Sequence, residues 1–422
     1  MNVQFLPSTP SGTVAAPPSK SHAHRLLISA ALAPGESLIR PVAPAQDILA
    51  TLDCLSALGA EIKAFPLRGR WQAASEAGRL SDAVSDGLRI SLAGFDPFAA
   101  HSTTLPCRES ASTLRFLLPL CLFSGQEMTL TGSERLLSRP LGVYETLCKE
   151  RGFLWEQGEN SLRVCGRLAP GEFSVPGGVS SQFVSGLLFA LPLLPGDSTL
   201  HIEPPLVSSP YVDLTLSVLS DFGILIHKKD RNSFEIPGNQ TYSARNASVE
   251  GDWSNAAPFL ALRALGWDVS VTGLAPQSVQ GDCVCVPYLD ALSKGFAELD
   301  LADCPDLGPV LLTAAALLHG GRFLHTGRLR DKESDRAAVL QEELAQCGAE
   351  LTVEEDAVTV QPAVLHAPAG PLSSHNDHRI AMALSLVLLR TGGTLTGADC
   401  VQKSYPNFFD DLRALGVSCS GR

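Results

Sequence analysis

Four long apolar stretches mark the chain, and each follows a short polar segment that combines Ser or Asn with a cation or an amide. The stretches are LLISAALA after residues 19–25, FLLPLCLF after residues 110–115, FVSGLLFALPLL after residues 180–182 and IAMALSLVLL after residues 376–379. Because Ser and Asn are favourable helix N-caps, the pattern predicts four buried helices that begin at these segments. Helix N-termini attract anions through their unpaired N–H groups. We expect the four starts to converge at one interior edge, although a capped helix with a solvated cation would explain any single one.

A second pattern recurs six times: a leucine-rich helical segment ends at Gly and is followed by a short apolar or alternating run typical of a strand. The glycines are Gly59, Gly152, Gly223, Gly295, Gly348 and Gly416. Gly just past a helix supplies the left-handed conformation that closes it. The mean spacing of about 70 residues predicts a repeated α/β unit with two helices and several strands. Chance recurrence is the alternative, since helix–Gly–strand steps are common in α/β proteins.

The chain has 422 residues, of which 45% are hydrophobic and 18% charged. This length predicts two or three domains, and the composition is that of a globular protein with an ample core. No apolar run reaches the length of about 18 residues that a membrane span needs. The N-terminal segment does not read as a secretory signal, so we expect a cytoplasmic location. Eleven cysteines without a C-x-x-C pair are typical of reduced thiols in that compartment.

The net charge of −12 argues against polyanionic partners, because binding to nucleic acid or to a membrane surface requires a basic face. The glycine-rich nucleotide motifs and the H-E-x-x-H zinc motif are absent, so a Walker-type nucleotide loop, a simple dinucleotide fold and a zincin site are unsupported. One dense charged segment, RLRDKESDR, spans residues 328–336. Lys332 and Arg336 would share a helix face there at i, i+4 spacing. Such segments are usually solvated salt-bridge surfaces.

Ten short motifs occur in order from about residue 10 to about residue 415. They are Ser19-Lys20-Ser21-x-x-x-Arg25, ESASTLRF, Arg139-Pro140-Leu141-Gly142, Ser180-Ser181-Gln182-Phe183, Ser208-Ser209-Pro210-Tyr211-Val212-Asp213, Glu250-Gly251-Asp252, Pro305-Asp306, Lys332-Glu333-Ser334-Asp335-Arg336, Asn376-Asp377-His378-Arg379 and Lys403-Ser404-Tyr405-Pro406. Each motif alone is weak, but the ordered set is specific. With it, the sequence resembles the 5-enolpyruvylshikimate-3-phosphate synthases of the enolpyruvyl transferase family.

The resemblance implies an α/β (α+β) fold of two similar domains, each built from three repeated folding units in an inside-out arrangement of helices and sheets. It implies an active site in the cleft between the domains. The chain would cross between domains twice, which gives a discontinuous domain of residues 1–18 plus 247–422 and an inserted domain of residues 19–246. We expect a monomer, because nothing in the sequence marks an apolar interface.

The implied reaction transfers the enolpyruvyl group of phosphoenolpyruvate to the 5-hydroxyl of 3-phosphoshikimate and releases phosphate through a tetrahedral intermediate, a step of the shikimate pathway to chorismate and the aromatic amino acids. Both substrates are small anions, so cations are needed to bind them and to stabilise the departing phosphate. A proton must leave the hydroxyl and another must reach the methylene carbon, which requires general acid–base groups. The implied reaction needs neither a metal nor an organic cofactor, which agrees with the absence of cofactor motifs.

The family roles carry over onto matching positions of this chain. The implied contacts of 3-phosphoshikimate are Lys20, Ser21, Arg25, Ser180, Ser181, Gln182, Ser208, Tyr211, Asp306 and Lys332. The implied contacts of phosphoenolpyruvate are Lys20, Ala111, Arg139, Gln182, Arg336, Arg379 and Lys403. Arg115 is expected to be a structural cation, and His378 could serve only as a helix cap.

The implied catalytic groups are Asp306, Glu333 and Lys20. Asp306 would take the proton of the hydroxyl, whereas without the resemblance an Asp after Pro305 would be interpreted as a turn residue. Glu333 would act as the acid towards carbon. Lys20, Glu333 and Lys403 can each be drawn as the acid, and the sequence leaves this choice open.

Two positions depart from the family pattern. Ala111 stands where the family loop usually has a glycine that lies against phosphoenolpyruvate. The added methyl group would crowd the longer phosphonate inhibitor glyphosate more than the substrate, so we expect comparative insensitivity to glyphosate. Arg328 stands where many relatives carry Asn beside the shikimate ring, which puts that contact in doubt.

Two other functions compete with this interpretation. The sister enzymes that transfer enolpyruvyl to UDP-N-acetylglucosamine usually have Lys-Asn near the start and a loop cysteine as the acid. Here Ser21 follows Lys20, and Cys107 is the cysteine near that loop. The second alternative is a non-catalytic anion-binding relative, against which the retained Asp306, Glu333 and Lys403 argue.

Overall fold

The computed structural model describes residues 1–66, 87–99 and 102–421. The chain divides into two compact units. The terminal unit consists of Met1–Pro17 together with Glu250–Arg422, and the inserted unit consists of Pro18–Val249. Each unit has its own hydrophobic core.

The described residues form strands and helices in regular alternation. The strands are β1 (Val3–Phe5), β2 (Gly12–Ala15), β3 (Glu36–Val42), β4 (Glu61–Pro66), β5 (Leu88–Ala93), β6 (Thr104–Arg108), β7 (Met128–Gly132), β8 (Leu154–Gln157), β9 (Ser161–Cys165), β10 (Glu172–Pro176), β11 (Ser198–Glu203), β12 (His227–Asp230), β13 (Ser233–Ile236), β14 (Ala247–Ser248), β15 (Val269–Thr272), β16 (Ala297–Asp300), β17 (Gly321–Leu324), β18 (Leu351–Val353), β19 (Ala357–Val360), β20 (Leu372–Ser373), β21 (Gly393–Thr396) and β22 (Cys419–Gly421).

The helices are α1 (Lys20–Leu32), α2 (Gln46–Ala57), α3 (Ala111–Cys121), α4 (Glu134–Leu137), α5 (Gly142–Glu150), α6 (Ser181–Ala190), α7 (Ser209–Asp221), α8 (Trp253–Ala264), α9 (Cys285–Lys294), α10 (Gly308–Leu317), α11 (Arg336–Ala345), α12 (His378–Thr391) and α13 (Phe408–Ala414). Short 3-10 helices lie at Leu191–Leu193, Gly281–Val284, Pro305–Leu307, Gly327–Asp331 and Ala398–Lys403. Throughout the described ranges, no helix combines the length and the apolarity needed to cross a bilayer.

One sheet topology recurs in both units. In the inserted unit the strand orders are β14-β3-β5-β4, β6-β7-β9-β8 and β10-β11-β13-β12. In each sheet the first two strands are parallel and the other neighbours are antiparallel. The terminal unit repeats this pattern in β16-β17-β19-β18 and β20-β21-β1-β22, and it adds the parallel pair β15-β2. The predicted α/β class with three repeated folding units on each side is confirmed.

The six glycines lie just past the second helix of each repeat, as the sequence pattern predicted. Five of them have φ between 66° and 110°, the left-handed region that glycine favours. Gly295 is the exception, because its φ of 162° is ordinary extended backbone. Four of the other five glycines lead into a β-hairpin and Gly416 leads into β22, which pairs with β1. Gly295 instead lies between α9 and β16, the first strand of the next sheet.

The first helix of each repeat supplies the interior of its unit. Helices α1, α3 and α6 bury nearly all of their side chains in the inserted unit, and α12 buries every residue from His378 to Leu389 in the terminal unit. A buried leucine contributes about 1.5–3 kcal/mol relative to an exposed one. The predicted burial of the four apolar helices is therefore confirmed.

Side-chain caps begin these four helices. Ser19, Ser110 and Ser180 each accept a hydrogen bond from a backbone N–H of the first turn. In α12 the cap is Asp377, which accepts from Arg379 N at 2.9 Å. The expectation that Asn376 begins this helix, or that His378 caps it, is wrong, because Asn376 has φ of +56° and His378 is the first helical residue.

Candidate active site

Arg25 joins helices α1 and α7 in the inserted unit. Its Nε donates to Thr215 Oγ1 at 2.8 Å, Nη1 donates to Ser21 O at 2.7 Å, and Nη2 donates to Tyr211 O at 3.0 Å. The guanidinium also lies over the rings of Phe116 and Tyr211. Burial lowers the pKa of Arg25 to about 10, so the group is still a cation at neutral pH. Arg25, Ser21 and Tyr211, three predicted 3-phosphoshikimate contacts, are thus brought together.

Lys20, the first residue of α1, forms an ion pair with Asp47 at the start of α2. Its Nζ lies 2.8 Å from Asp47 Oδ2, and both side chains are largely buried. Asp47 is not among the site residues predicted from the sequence. The sequence around Asp47 indicates only a helix start, because acidic residues are common in the first turn of a helix. Nothing in the sequence indicates its pairing with a lysine 27 residues away.

Gln182 connects α6 to α3. Its Nε2 donates to Ser112 Oγ at 2.9 Å, and its Oε1 accepts from Arg115 Nη1 at 2.8 Å. Arg115 also donates to Pro140 O at 2.8 Å and lies over the Phe183 ring. These contacts are those of a structural cation that holds the segment beside Arg139 against two helices.

The remaining predicted residues of the inserted unit lie at the beginnings of helices or in the turn before α5. Ser180 and Ser181 begin α6, and Ser208 precedes α7 with left-handed backbone at φ +54°. Ala111 is the buried first residue of α3, and Arg139 is half-buried between α4 and α5. Hydroxyl groups and backbone N–H groups at helix starts are a suitable lining for a phosphate.

Asp306 lies at the centre of a second group of charged side chains, in the terminal unit. Its Oδ1 is 2.9 Å from Arg336 Nη1 and 3.2 Å from Lys332 Nζ. Its Oδ2 is 3.8 Å from Arg379 Nη2. The residue belongs to the 3-10 turn Pro305–Leu307 that leads into α10, so the turn position inferred from Pro305 is correct and carries these contacts as well.

Arg336 joins this group together, and only 1% of its side chain is exposed. Besides Asp306 it contacts Glu333 Oε2 at 2.8 Å through Nη2, and Asp377 Oδ2 at 2.8 Å through Nε. Burial alone would lower the pKa of Arg336, but the carboxylates of Asp377, Glu333 and Asp306 raise it well above its ordinary value. Arg336 is therefore a permanent cation.

Lys332 does not share a helix face with Arg336, and that prediction is wrong. Helix α11 begins only at Arg336, because Asp335 is its N-cap, and Lys332 follows the 3-10 turn Gly327–Asp331 in extended backbone. The two cations meet instead through Asp306. Burial lowers the pKa of Lys332 to about 8, with Asp306 opposing that shift and the charges of Arg328 and Arg336 adding to it.

Arg379, on the first turn of α12, is held by a residue that the sequence analysis missed. Its Nη1 donates to Asn255 Oδ1 at 3.1 Å, and Asn255 Nδ2 donates to Ser404 Oγ at 3.0 Å. Asn255 is completely buried on α8. No local signal distinguished this asparagine, because its partners lie 124 and 149 residues away in the chain.

Lys403 ends the 3-10 helix Ala398–Lys403 and donates to Asn376 O at 2.7 Å. The terminal-unit cluster is defined here as Asp306, Lys332, Glu333, Arg336, Asp377, Arg379 and Lys403. With four cations and three carboxylates it has a formal charge of +1. Such a cluster can bind carboxylate and phosphate groups and also contains carboxylates that can exchange protons.

Within residues 1–66, 87–99 and 102–421, no group of three or more His, Cys, Asp or Glu side chains is arranged to hold a metal ion. All eleven cysteines are free thiols. Cys107 is completely buried, and a hydrogen bond with Cys54 together with that burial raises its pKa well above the ordinary thiol value. A thiol in this environment is a poor proton donor or nucleophile.

Known proteins similar to this chain identify its family. The family model described as EPSP synthase (3-phosphoshikimate 1-carboxyvinyltransferase) matches residues 7–291 and 288–412. The 3-phosphoshikimate 1-carboxyvinyltransferase of Clostridium kluyveri is 38% identical over 98% of this chain and 97% of its own length. That of Clostridioides difficile is 36% identical over 98% and 97%.

Solved structures share the fold at lower sequence identity. The EPSP synthase of Acinetobacter baumannii superposes with a TM-score of 0.76 at 21% identity and covers 99% of both chains. The enolpyruvyl transferase NikO of Streptomyces tendae gives a TM-score of 0.74 at 17% identity. The ordered motifs, the six repeats and these full-length matches agree, and the chain belongs to the EPSP synthase (3-phosphoshikimate 1-carboxyvinyltransferase) family.

Proposed function

We propose that this protein transfers the enolpyruvyl group of phosphoenolpyruvate to the 5-hydroxyl of 3-phosphoshikimate and releases inorganic phosphate. The observation that carries the proposal is the arrangement around Arg336. This buried cation gathers Asp306 and Glu333, the two carboxylates needed for proton transfer, with Lys332 3.2 Å from Asp306 and Arg379 Nη2 3.8 Å from it.

In the addition step, the 5-hydroxyl oxygen forms a bond to the enol carbon of phosphoenolpyruvate. Asp306 accepts the hydroxyl proton, and the neighbouring Lys332 cation stabilises the developing negative charge on that oxygen. The electron pair of the carbon–carbon double bond takes a proton at the methylene carbon, with Glu333 as the donor. Lys20 and Lys403 are the other candidate donors.

In the elimination step, the carbon–oxygen bond to phosphate breaks and the phosphate leaves with its electron pair. The methyl carbon returns a proton to the group that supplied it, and the freed carbon–hydrogen electron pair restores the double bond. Arg139, Arg336, Arg379 and Lys403 would bind the carboxylate and phosphate of phosphoenolpyruvate. Arginine suits both groups because its planar donors match two oxygens at once. Arg336 and Arg379 are also pre-positioned by Asp377 and Asn255, so little side-chain entropy is lost when they bind an anion.

The inserted unit would hold 3-phosphoshikimate. The hydroxyls of Ser180, Ser181 and Ser208 lie at two helix starts, where backbone N–H groups and the helix dipole favour a phosphate. Lys20 and Arg25 supply the positive charge. Gln182 and Tyr211 would complete the contacts with the ring.

Further proposals follow from the same assignment. The two compact units, divided at Pro17/Pro18 and Val249/Glu250, would be the two domains of the family. The protein would act in the cytoplasm, where its free thiols stay reduced, and as a monomer, which size-exclusion chromatography with light scattering tests.

The test is release of inorganic phosphate from phosphoenolpyruvate by the purified protein, with and without 3-phosphoshikimate. We expect phosphate only when both substrates are present, and no phosphate when UDP-N-acetylglucosamine replaces 3-phosphoshikimate. The exposed carboxylate Asp300 of the same unit provides a matched control, since Asp306→Asn should abolish turnover and Asp300→Asn should not. Absence of phosphate at saturating concentrations of both substrates would overturn the proposal.

A further inference from the structure

The segment that leads into α12 has unusual backbone geometry. His375 and Asn376 have φ of +48° and +56°, two successive non-glycine residues in the left-handed region. This region is unfavourable for residues with a Cβ atom, and a run of two is uncommon. Asp377 follows immediately and caps α12. Surrounding contacts must therefore hold it in this conformation. Two of them are local, since Ser373 Oγ accepts from His375 N and Ser374 Oγ accepts from Asn376 N.

Glu343, in the last turn of α11, makes the contacts that hold the start of this segment. Its side chain is only 4% exposed, and its Oε1 lies 2.7 Å from His375 Nε2. Its Oε2 accepts from Ser373 N at 3.0 Å and from Gln346 Nε2 at 3.1 Å. A carboxylate with this many donors is fully engaged, so it can be buried without a large penalty.

Helix α11 also holds the other end of the segment. Its first residue, Arg336, donates to both carboxylate oxygens of Asp377, at 2.8 Å and 3.3 Å. One helix thus holds residues 373–375 through its last turn and residue 377 through its first residue. Of the two left-handed residues, His375 is itself bound by Glu343, and Asn376 lies between the two attachments.

Three proposed phosphoenolpyruvate contacts depend on residues 376 and 377. Arg336 bonds to the Asp377 carboxylate, Arg379 N donates to the same carboxylate, and Lys403 Nζ donates to Asn376 O. A shift of this backbone would displace all three cations at once. By contrast, Arg25 and Gln182, two of the proposed 3-phosphoshikimate contacts, make their hydrogen bonds within the inserted unit.

We infer that Glu343 and His375 form a positioning pair that holds the strained backbone at residues 375–376 and so sets the phosphoenolpyruvate-binding cations in place. Neither residue is a catalytic group. The inference rests on the proposed function, because it assigns the pair to that reaction's anion site.

The experiment compares His375→Ala with His375→Gly in steady-state kinetics. Both substitutions remove the bond to Glu343, but glycine adopts the left-handed conformation without penalty and alanine does not. We expect His375→Ala to lower kcat/KM for phosphoenolpyruvate about tenfold, equivalent to about 1.4 kcal/mol, mainly through KM, with KM for 3-phosphoshikimate changed less than twofold. His375→Gly should recover at least half of that loss on a logarithmic scale.

His325 offers a matched control. It is also a left-handed histidine, with φ of +56°, and its Nδ1 lies 2.7 Å from the carboxylate of Asp300, but both side chains of this pair are more than half exposed. His325→Ala should leave both KM values within twofold of the wild type. Glu343→Gln keeps an acceptor for Ser373 N and can accept or donate at His375, so it should keep most of the activity, whereas Glu343→Ala should match His375→Ala.

Several results would overturn the inference. These are equal loss in His375→Ala and His375→Gly, a parallel rise of both KM values, or a loss in His325→Ala as large as that in His375→Ala. If His375→Ala does not fold, Glu343→Gln against Glu343→Ala decides the question by the same KM comparison. Phosphate release by the wild type tests the proposed function separately. An inactive wild type refutes that function, whereas an active wild type with unaffected variants refutes only the positioning pair.

Discussion

Lys332 should set the alkaline limit of activity. Its Nζ lies 3.2 Å from Asp306 Oδ1, and 18% of its side chain is exposed. Burial lowers its pKa from 10.5 to about 8, so about nine-tenths of the enzyme would carry the cation at pH 7, about half at pH 8 and about one-tenth at pH 9. If that cation stabilises the attacking oxygen, kcat/KM for 3-phosphoshikimate should fall by about tenfold per pH unit above pH 8.

Two variants separate Lys332 from other groups. The charge of Arg328 helps to lower the pKa of Lys332. Arg328→Asn should therefore move the alkaline limb, the fall of kcat/KM above about pH 8, to higher pH. Lys332→Arg keeps a cation that does not titrate in this range. In this variant kcat/KM should no longer fall above pH 8, even if its value at every pH is lower than that of the wild type. The assay is kcat/KM for 3-phosphoshikimate from pH 6 to pH 10 at saturating phosphoenolpyruvate, with phosphate release as the readout.

The same shift has a consequence for stability. A lysine whose pKa is lower in the folded protein binds fewer protons there than in the unfolded chain between about pH 8 and pH 10.5. Its contribution to the free energy of unfolding is therefore unfavourable below pH 8 and becomes less so as the pH rises through that window. The difference amounts to roughly 3 kcal/mol at most. Between about pH 8 and pH 10.5, activity should therefore fall while deprotonation of Lys332 makes the folded state more stable. Deprotonation of Lys332 thus does not cause loss of activity by unfolding the protein.

An alkaline limb that persists unchanged in Lys332→Arg would refute the reasoning, because another group would then be responsible. An unmoved limb in Arg328→Asn would refute the part of the argument that concerns Arg328. Circular dichroism over the same pH range provides the control for folding.

Three further outcomes are expected. Asp306→Asn removes the proposed base and a shared partner of two cations, so kcat should fall by at least about a hundredfold in the phosphate-release assay, and a smaller effect would assign the base role elsewhere. Asn255→Ala leaves Arg379 without its buried acceptor, which should raise KM for phosphoenolpyruvate by about fivefold to tenfold with little change in KM for 3-phosphoshikimate; equal changes in both would contradict a specific role. Ala111→Gly removes the buried methyl group at the start of α3, so the inhibition constant for glyphosate should fall by about tenfold or more, and an unchanged constant would refute the steric explanation.

Some parts of the site could be predicted from local sequence because their causes are local. An apolar run after a serine predicts a buried helix that the serine caps. Ser19, Ser110 and Ser180 are such caps. Local sequence was misleading where two neighbouring residues compete for one role. Asn376 and Asp377 both suit a cap, and Asp377 takes it because Arg336 and Ser334 also bind its carboxylate.

The partners of the candidate residues could not be predicted in the same way. Asp47, Asn255 and Glu343 are ordinary polar residues in their own helices, and each acquires its role from a residue that is 27 to 124 positions away. The pKa of Lys332 is likewise a property of its surroundings, since burial has the largest effect and the charge of Asp306, 26 positions away, opposes it. Sequence spacing carries no information on such contacts.

By itself the sequence determined the repeated α/β pattern, the buried helices with their serine caps, and an ordered set of motifs specific enough to indicate the family, because periodicity, capping and motif order are all properties of neighbouring residues. Only the tertiary structure decided that Arg336 joins three carboxylates, that Asn255 holds Arg379, and that the last turn of α11 supports a strained segment before α12. The physical reason is that charge pairing and backbone strain depend on distances across the fold, which the chain sets only once its repeats have packed.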